Sequence, residues 1–350
     1  MPHTLVTGAN SFVAAHVINE LIANGHTVTG SVRRVAAGQA LLDEHPEWDG
    51  KLDFVVVEDY GNQSALDELF QKKQFDHIVH VAAPMPGKAE LNDYDRDFLR
   101  PAVDGNLALL KAAKAHAPGL KSIAITGSIN AITTGAPEDN KTREYTNESW
   151  NGITPEFARE QNHHFISYCS SKKEAELAIW DFVKTEKPTF AVTVFLPALI
   201  FGPPLQSLKD LKDINFSVGV VYSYFNGTYD EIPNTHAAAF PSYIDVRDLA
   251  TAHVRALTTP EAANKRFLIG GAPLTSTLIV KTLEGLAEKG ELPELKGRLP
   301  KDTGKDADVA LAKIHAEEGN SILNMKFRSA EETFGDLAKK VLELEKKLKT

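Results

Sequence analysis

Only one cysteine, Cys169, occurs in the 350 residues. An intrachain disulfide and any multi-cysteine metal site are therefore excluded, and a reducing compartment fits. Long apolar runs are also missing: the densest stretch, VTVFLPALIF over 192–201, is interrupted by Pro197 and is too short to cross a bilayer. The chain starts MPHTLVTG, which is not the basic, then hydrophobic, pattern of an export leader, so the expectation is a cytoplasmic protein with no membrane partner. Positive charge is in deficit, with 38 Lys and Arg against 47 Asp and Glu and a net charge of -9. A nucleic-acid partner is disfavoured, because binding to phosphate backbones needs clustered cations.

Two local shortages carry more information. The stretch TLVTGANSFVAAH (4–16) has the strand-turn-helix pattern of a dinucleotide-binding loop but only one glycine, Gly8, with Ser11 and Ala14 where the second and third are expected. Ala14 is a mild packing change. Ser11 puts a Cβ and a hydroxyl beside the position of a diphosphate, at a cost of roughly 1–2 kcal/mol if the backbone there were left-handed. Acid is missing at the end of the second strand, where an NAD-binding fold places a carboxylate for the ribose 2′-hydroxyl. The strand ends SVRR (31–34), and the next acid is Asp43. Two guanidiniums suit a 2′-phosphate, so NADPH is the expected cofactor, with Arg33 as the main contact and Arg34 as helper.

Apolar segments at 5–7, 27–32, 54–57, 77–83, 122–126 and 191–196 alternate with helical patterns, including long helices at about 95–117 and 161–186. Such alternation predicts an α/β fold, a doubly wound parallel sheet covered on both faces. The expected organisation is a Rossmann-type cofactor domain over 1–198, rejoined by 234–270, with 199–350 mainly a smaller, interleaved substrate lobe. A capping box, Ser329 with Glu332, opens the last helix.

Chemistry is expected from YCSSK (168–172), where Tyr168 and Lys172 lie four apart and share a helix face. The spacing alone is weak, since roughly half a match would arise by chance. Its location adds weight: the preceding strand ends in TGS (126–128) and delivers Ser128 to the carboxyl edge of the sheet, where open α/β sheets bind ligands. A phenol, with an ordinary pKa near 10, is a poor acid at neutral pH, and a neighbouring ammonium lowers that value. Tyr168 is thus the expected proton donor to a carbonyl oxygen, Ser128 its anchor, and Lys172 the group that tunes Tyr168 and binds ribose hydroxyls. A metal role for His163-His164 lacks a third ligand at suitable spacing. Asn106 is a candidate for a proton relay, and Asp245, Arg247 and Asp248 read as a capping and ion-pair cluster.

These residues, with HVAAP (80–84), PAVDGNLALLKAA (101–113), YCSSKKEAELAIWDF (168–182), LPALIFGPP (196–204), YIDVRDLATAHV (243–254) and FRSAEET (327–333), together resemble the extended short-chain dehydrogenase/reductase family. The likeness is to its dihydroflavonol-reductase-like branch of NADPH-dependent aldehyde, ketone and methylglyoxal reductases. It implies cofactor contacts from Gly8, Asn10, Ser11, Phe12, Val13, Arg33, Arg34, Asp59, Ala82, Ala83, Pro84, Pro197, Leu199, Ile200 and Ser217, with Tyr168 and Lys172 on the nicotinamide side. It implies a substrate pocket drawn from Met85, Ser128, Ile129, Tyr168, Leu199 and the segment around 205–225. The family often has TSS where this chain has Thr126-Gly127-Ser128, so one neighbouring hydroxyl is lost. The implied activity is reduction of a small-molecule carbonyl, an aldehyde, ketone or keto ester, by a monomer or homodimer. Two alternatives stay open at this point: an NDP-sugar epimerase or dehydratase of the same fold, and a non-catalytic NADP(H)-sensing protein.

Overall fold

A computed structural model describes residues 1–83, 93–134, 143–233, 241–304 and 311–349. Strands β1 (His3–Val6), β2 (Thr27–Val32), β3 (Leu52–Val56), β4 (His77–His80), β5 (Ser122–Thr126), β7 (Ala191–Pro197) and β10 (Lys265–Ile269) form one sheet, ordered β10-β7-β5-β4-β1-β2-β3. Every neighbouring pair in it is parallel. The order reverses between β1 and β4, which opens a crevice at the carboxyl ends of those strands. This is the doubly wound sheet expected from the alternation.

Helices α1 (Phe12–Ala23), α2 (Val35–Glu44), α3 (Gln63–Lys72) and α4 (Arg100–His116) connect the first five strands. A two-residue strand β6 (Glu144–Tyr145) precedes α5 (Pro155–Gln161) and α6 (His164–Glu186). Beyond β7, a second sheet pairs β8 (Leu199–Phe201) in parallel with β9 (Ser242–Asp245), which pairs antiparallel with β11 (Ala272–Pro273). The helices of this part are α7 (Phe216–Ser223), α8 (Val246–Ala256), α9 (Ser276–Lys289), α10 (Glu317–Ile322) and α11 (Ala330–Lys349), and β12 (Lys313–Ile314) pairs with β6. Helix α8 packs on α1, and β10 re-enters the main sheet beside β7, so the later chain is woven into the earlier.

Two expectations are corrected and one is refined. The helix expected at about 161–186 is α6, which starts at His164 because a separate short helix, α5, ends at Asn162 in the left-handed region (φ 44°). Asparagine is among the few residues that visit that region readily. The helix expected from 95 to 117 begins as a π-helical turn, Asp95–Leu99, before α4. Pro101 follows directly, and its missing N–H removes the α-helical bond to the Asp97 carbonyl. Strand β4 stops at His80 rather than Ala83, because the N–H groups of Val81 and Ala82 leave the ladder and both donate to Thr7 Oγ1, each at 2.9 Å. The capping box forms as read, with Glu332 N–H donating to Ser329 Oγ at 3.2 Å and Ser329 N–H to Glu332 Oε2 at 2.8 Å.

Candidate active site

Strand β1 feeds directly into the turn at Gly8, whose φ of +67° belongs to glycine. A Cβ there would lie 3.3 Å from both Cα and Cβ of Ala82, so the turn needs glycine for space as well as for conformation. Ser11 sits at φ -93° and ψ 162°, extended backbone open to any residue, so the anticipated left-handed strain is absent. It is the N-cap of α1, its side chain makes no capping bond, and Asn10 and Ser11 are both exposed. The α1 N-terminus therefore presents free backbone N–H groups and a free hydroxyl to the crevice, the arrangement that binds phosphate. Phe12, Val13 and Ala14 are buried, fixing the first turn of the helix.

At the end of β2, Arg33 and Arg34 are exposed, and Arg34 is the N-cap of α2. Neither guanidinium has an ion-pair partner among the described residues, and the first turn of α2 has no acid. Two unpaired cations at a helix N-terminus oppose its dipole unless an anion joins them. Asp59 is exposed, and its carboxylate accepts the Gly61 N–H at 2.8 Å, closing a turn after β3.

A buried polar chain lies under the loop. Gly8 N–H donates to Ser31 Oγ at 3.0 Å, and Ser31 is hydrogen-bonded to the Tyr60 hydroxyl. Burial pushes the Tyr60 phenol far up, so it stays neutral. Thr7 Oγ1 already accepts two backbone N–H groups and therefore gives its own proton to His80 Nδ1, 2.9 Å away. The His80 proton thus resides on Nε2. Burial, with a smaller push from the Lys172 charge, lowers the His80 pKa to about 3, and the imidazole is neutral.

Ser128 leaves the end of β5, where Gly127 N–H donates to the Phe195 carbonyl at 2.8 Å. A Cβ at residue 127 would stand 2.8 Å from that same oxygen, so this close approach of strand and turn requires glycine. Thr126, just before, bonds His253 Nε2 at 2.9 Å. The Ser128 oxygen accepts the Asn130 N–H at 3.1 Å. Its proton goes to Asn130 Oδ1 at 3.3 Å, and the residue is 8% exposed.

Helix α6 holds Tyr168 half-buried over a small core that includes Tyr94, Phe98, Ile153 and Cys169. Lys172 Nζ lies 5.5 Å from the centre of the Tyr168 ring and has no carboxylate partner among the described residues. The adjacent Lys173 is different: it is buried and donates to the Ile153 carbonyl. Geometry therefore separates the two lysines of YCSSKK. Cys169 is fully buried with its pKa pushed up to about 12 by desolvation, so it carries no nucleophilic thiolate. Among the other expected contacts, Pro197, Ile129 and Leu199 are buried in the cores and Ile200 and Ala83 are partly buried. Ser217 is 7% exposed, and its hydroxyl donates to the Ile200 carbonyl at 2.5 Å. Asn106 donates through Nδ2 to the Ala102 carbonyl at 2.7 Å, while its buried Oδ1 has no hydrogen-bond partner among the described residues. Asp245 caps α8 and pairs with Arg247, and Asp248 pairs with Arg328, as a structural ion-pair cluster. Pro84 and Met85 lie outside the described residues.

Sequence patterns gave no signal for Thr7, Ser31, Tyr60, Asn130 or Asn151. Their partners are 21 to 75 residues away, or depend on how a turn folds back.

A seven-stranded parallel sheet with a glycine turn at its switch point and an exposed helix N-terminus just beyond it defines the dinucleotide-binding class of α/β proteins. Residues 4–270 match the model of the NAD dependent epimerase/dehydratase family. The chain belongs to that family, the extended short-chain dehydrogenases/reductases.

Within the family the chain is 31% identical to the NADPH-dependent methylglyoxal reductase GRE2 of Saccharomyces cerevisiae over 349 residues, 97% of this chain and 98% of the relative. It is 32% identical to the ketoreductase azaE of Aspergillus niger over 342 residues, 97% of each. Among solved structures, yeast methylglyoxal/isovaleraldehyde reductase Gre2 complexed with NADPH superposes with a TM-score of 0.87 at 30% identity, over 98% of this chain and 99% of that one.

Proposed function

We propose that this protein is an NADPH-dependent carbonyl reductase that converts an aldehyde, ketone or keto ester to the alcohol. The observation that carries the reading is the pairing of Tyr168 with an ammonium, Lys172, that has no carboxylate partner among the described residues, on the helix packed against the turn that follows the carboxyl end of β5. Names of relatives over nearly the full length, methylglyoxal reductase and ketoreductase, support it.

The residues present fit the cofactor. Arg33 and Arg34, unpaired among the described residues, match a 2′-phosphate, the α1 N-terminus behind Ser11 matches a diphosphate, and Gly8 with Ala82 keeps the loop close to the sheet. When bound, NADPH supplies the hydride. The protein's part is the oxygen of the substrate. Ser128 turns its hydroxyl proton to the carbonyl oxygen and holds it, Tyr168 donates the proton that completes the alcohol, and Lys172 favours the phenolate left behind. Lys172, with no carboxylate partner among the described residues, also binds the nicotinamide ribose hydroxyls.

The test is oxidation of NADPH against NADH, followed at 340 nm, over a panel including methylglyoxal, isovaleraldehyde, aromatic ketones and keto esters. Turnover is expected with NADPH and at least one carbonyl. Consumption of neither cofactor across the panel would reject the reading.

A further inference from the structure

We infer that Asn130 is a positioning residue for the Ser128 hydroxyl, setting both where its oxygen sits and where its proton points. The inference rests on the reductase reading, since it assigns a second residue to the anchoring of the carbonyl oxygen.

Ser128 bonds Asn130 twice. The backbone N–H of Asn130 donates to Oγ at 3.1 Å and fixes the oxygen, while Oδ1 of the same residue accepts the hydroxyl proton at 3.3 Å. Asn130 is itself locked. Its Nδ2 donates to Cys169 Sγ at 3.5 Å, and its carbonyl accepts Asn151 Nδ2 at 2.6 Å. That Nδ2 also donates to the Cys169 carbonyl at 3.1 Å, and Asn151 Oδ1 accepts the Ile153 N–H at 3.0 Å. Asn130 is 2% and Asn151 5% exposed, so these bonds are shielded from competing water.

Cys169 follows Tyr168 in the chain. The cluster therefore joins the turn that carries Ser128 to the turn of α6 that carries Tyr168, and fixes the serine against the tyrosine by side-chain amides rather than by packing alone. In the observed orientation of the Asn130 amide, Oδ1 faces the serine hydroxyl and takes its proton, while Nδ2 faces the Cys169 sulfur. With the serine proton parked on Asn130, a carbonyl entering the site draws it off by rotation about one bond while the oxygen stays in place. The bond of 3.3 Å is long for O–H donation, and a parking bond has to be weak enough to release its proton.

The experiment is a double-mutant cycle on the full chain. Asn130→Ala is expected to lower kcat for a carbonyl substrate roughly tenfold, the rate equivalent of one ordinary hydrogen bond, with the dissociation constant for NADPH unchanged by fluorescence titration. In the Ser128→Ala background the same change is expected to cost nothing further in kcat. A loss of equal size in both backgrounds, or no loss in either, would overturn the inference. Full turnover by Ser128→Ala alone would remove the serine from the reductase mechanism and this inference with it.

If Asn130→Ala does not fold, Asn130→Asp serves in its place. The protonated carboxyl offers an acceptor for Ser128 and a donor for Cys169, so its kcat relative to the parent at the same pH should recover several-fold as pH falls from 8 to 6. A ratio that does not change with pH would contradict the assignment.

Discussion

Lowering the pH from 8 to 5 is predicted to remove a large part of the folding stability, through three histidines held neutral around the site. His16 on α1 donates from Nε2 to the Pro203 carbonyl at 2.8 Å, and burial lowers its pKa to about 4. His253 on α8 donates from Nδ1 to the Leu249 carbonyl at 2.8 Å and accepts from Thr126, with its pKa lowered to about 4, again by burial. His80 is lowered to about 3. In the unfolded chain each would titrate near 6.5. A depressed folded pKa means that the unfolded state binds more protons, so the stability is fully present above pH 6.5 and falls as the pH drops toward the folded value. At pH 5 each histidine costs about 2 kcal/mol and the three together roughly 6 kcal/mol, with His77, lowered to about 4 by burial, acting in the same direction. Typical stabilities are about 5–15 kcal/mol, so the loss is of the same order as the whole. For a chain of this length the melting temperature should fall by roughly 8 °C.

The carboxylates whose pKa is held down by ion pairs, such as Asp76 beside Lys121, lose their contribution only at more acid pH and fall outside this window. Asp248, raised by burial, acts in the opposite direction as a single group. The assay is urea unfolding by circular dichroism at pH 8, 7, 6 and 5, with thermal melts alongside. A melting temperature that changes by less than about 2 °C between pH 8 and 5 would refute the neutral-histidine argument.

Two further predictions concern the cofactor loop. Arg33→Asp should weaken NADPH binding by at least tenfold and leave NADH binding nearly unchanged, read by fluorescence titration; equal losses for both would contradict a 2′-phosphate contact. Ser11→Gly should change the dissociation constant for NADPH by less than about threefold, because the exchange leaves in place the backbone N–H groups of the α1 N-terminus that meet the diphosphate; a marked loss would make the hydroxyl a cofactor ligand in its own right.

The sheet was readable from sequence because parallel strands buried on two faces are short apolar runs, and 27–32 and 122–126 match β2 and β5 residue for residue. The ends of elements were less readable. Asn162 separates the short helix α5 from α6, and Val81 and Ala82 leave β4 for a threonine hydroxyl 74 and 75 residues earlier, events that no local periodicity encodes. Tyr168 and Lys172 were legible because one helical turn separates them. The groups that orient the site, Thr7 toward His80 and Asn151 with Asn130 toward Cys169, come from separate segments brought together only by the folded sheet and its connections.

The most direct test of the central claim compares the parent chain with Tyr168→Phe for NADPH-dependent carbonyl reduction at 340 nm, with NADPH binding measured on both. The account predicts that the phenylalanine variant binds NADPH as the parent does and loses at least a hundredfold in kcat, in keeping with removal of a general acid, worth roughly 10²–10⁴ in rate. Full turnover by Tyr168→Phe would contradict it.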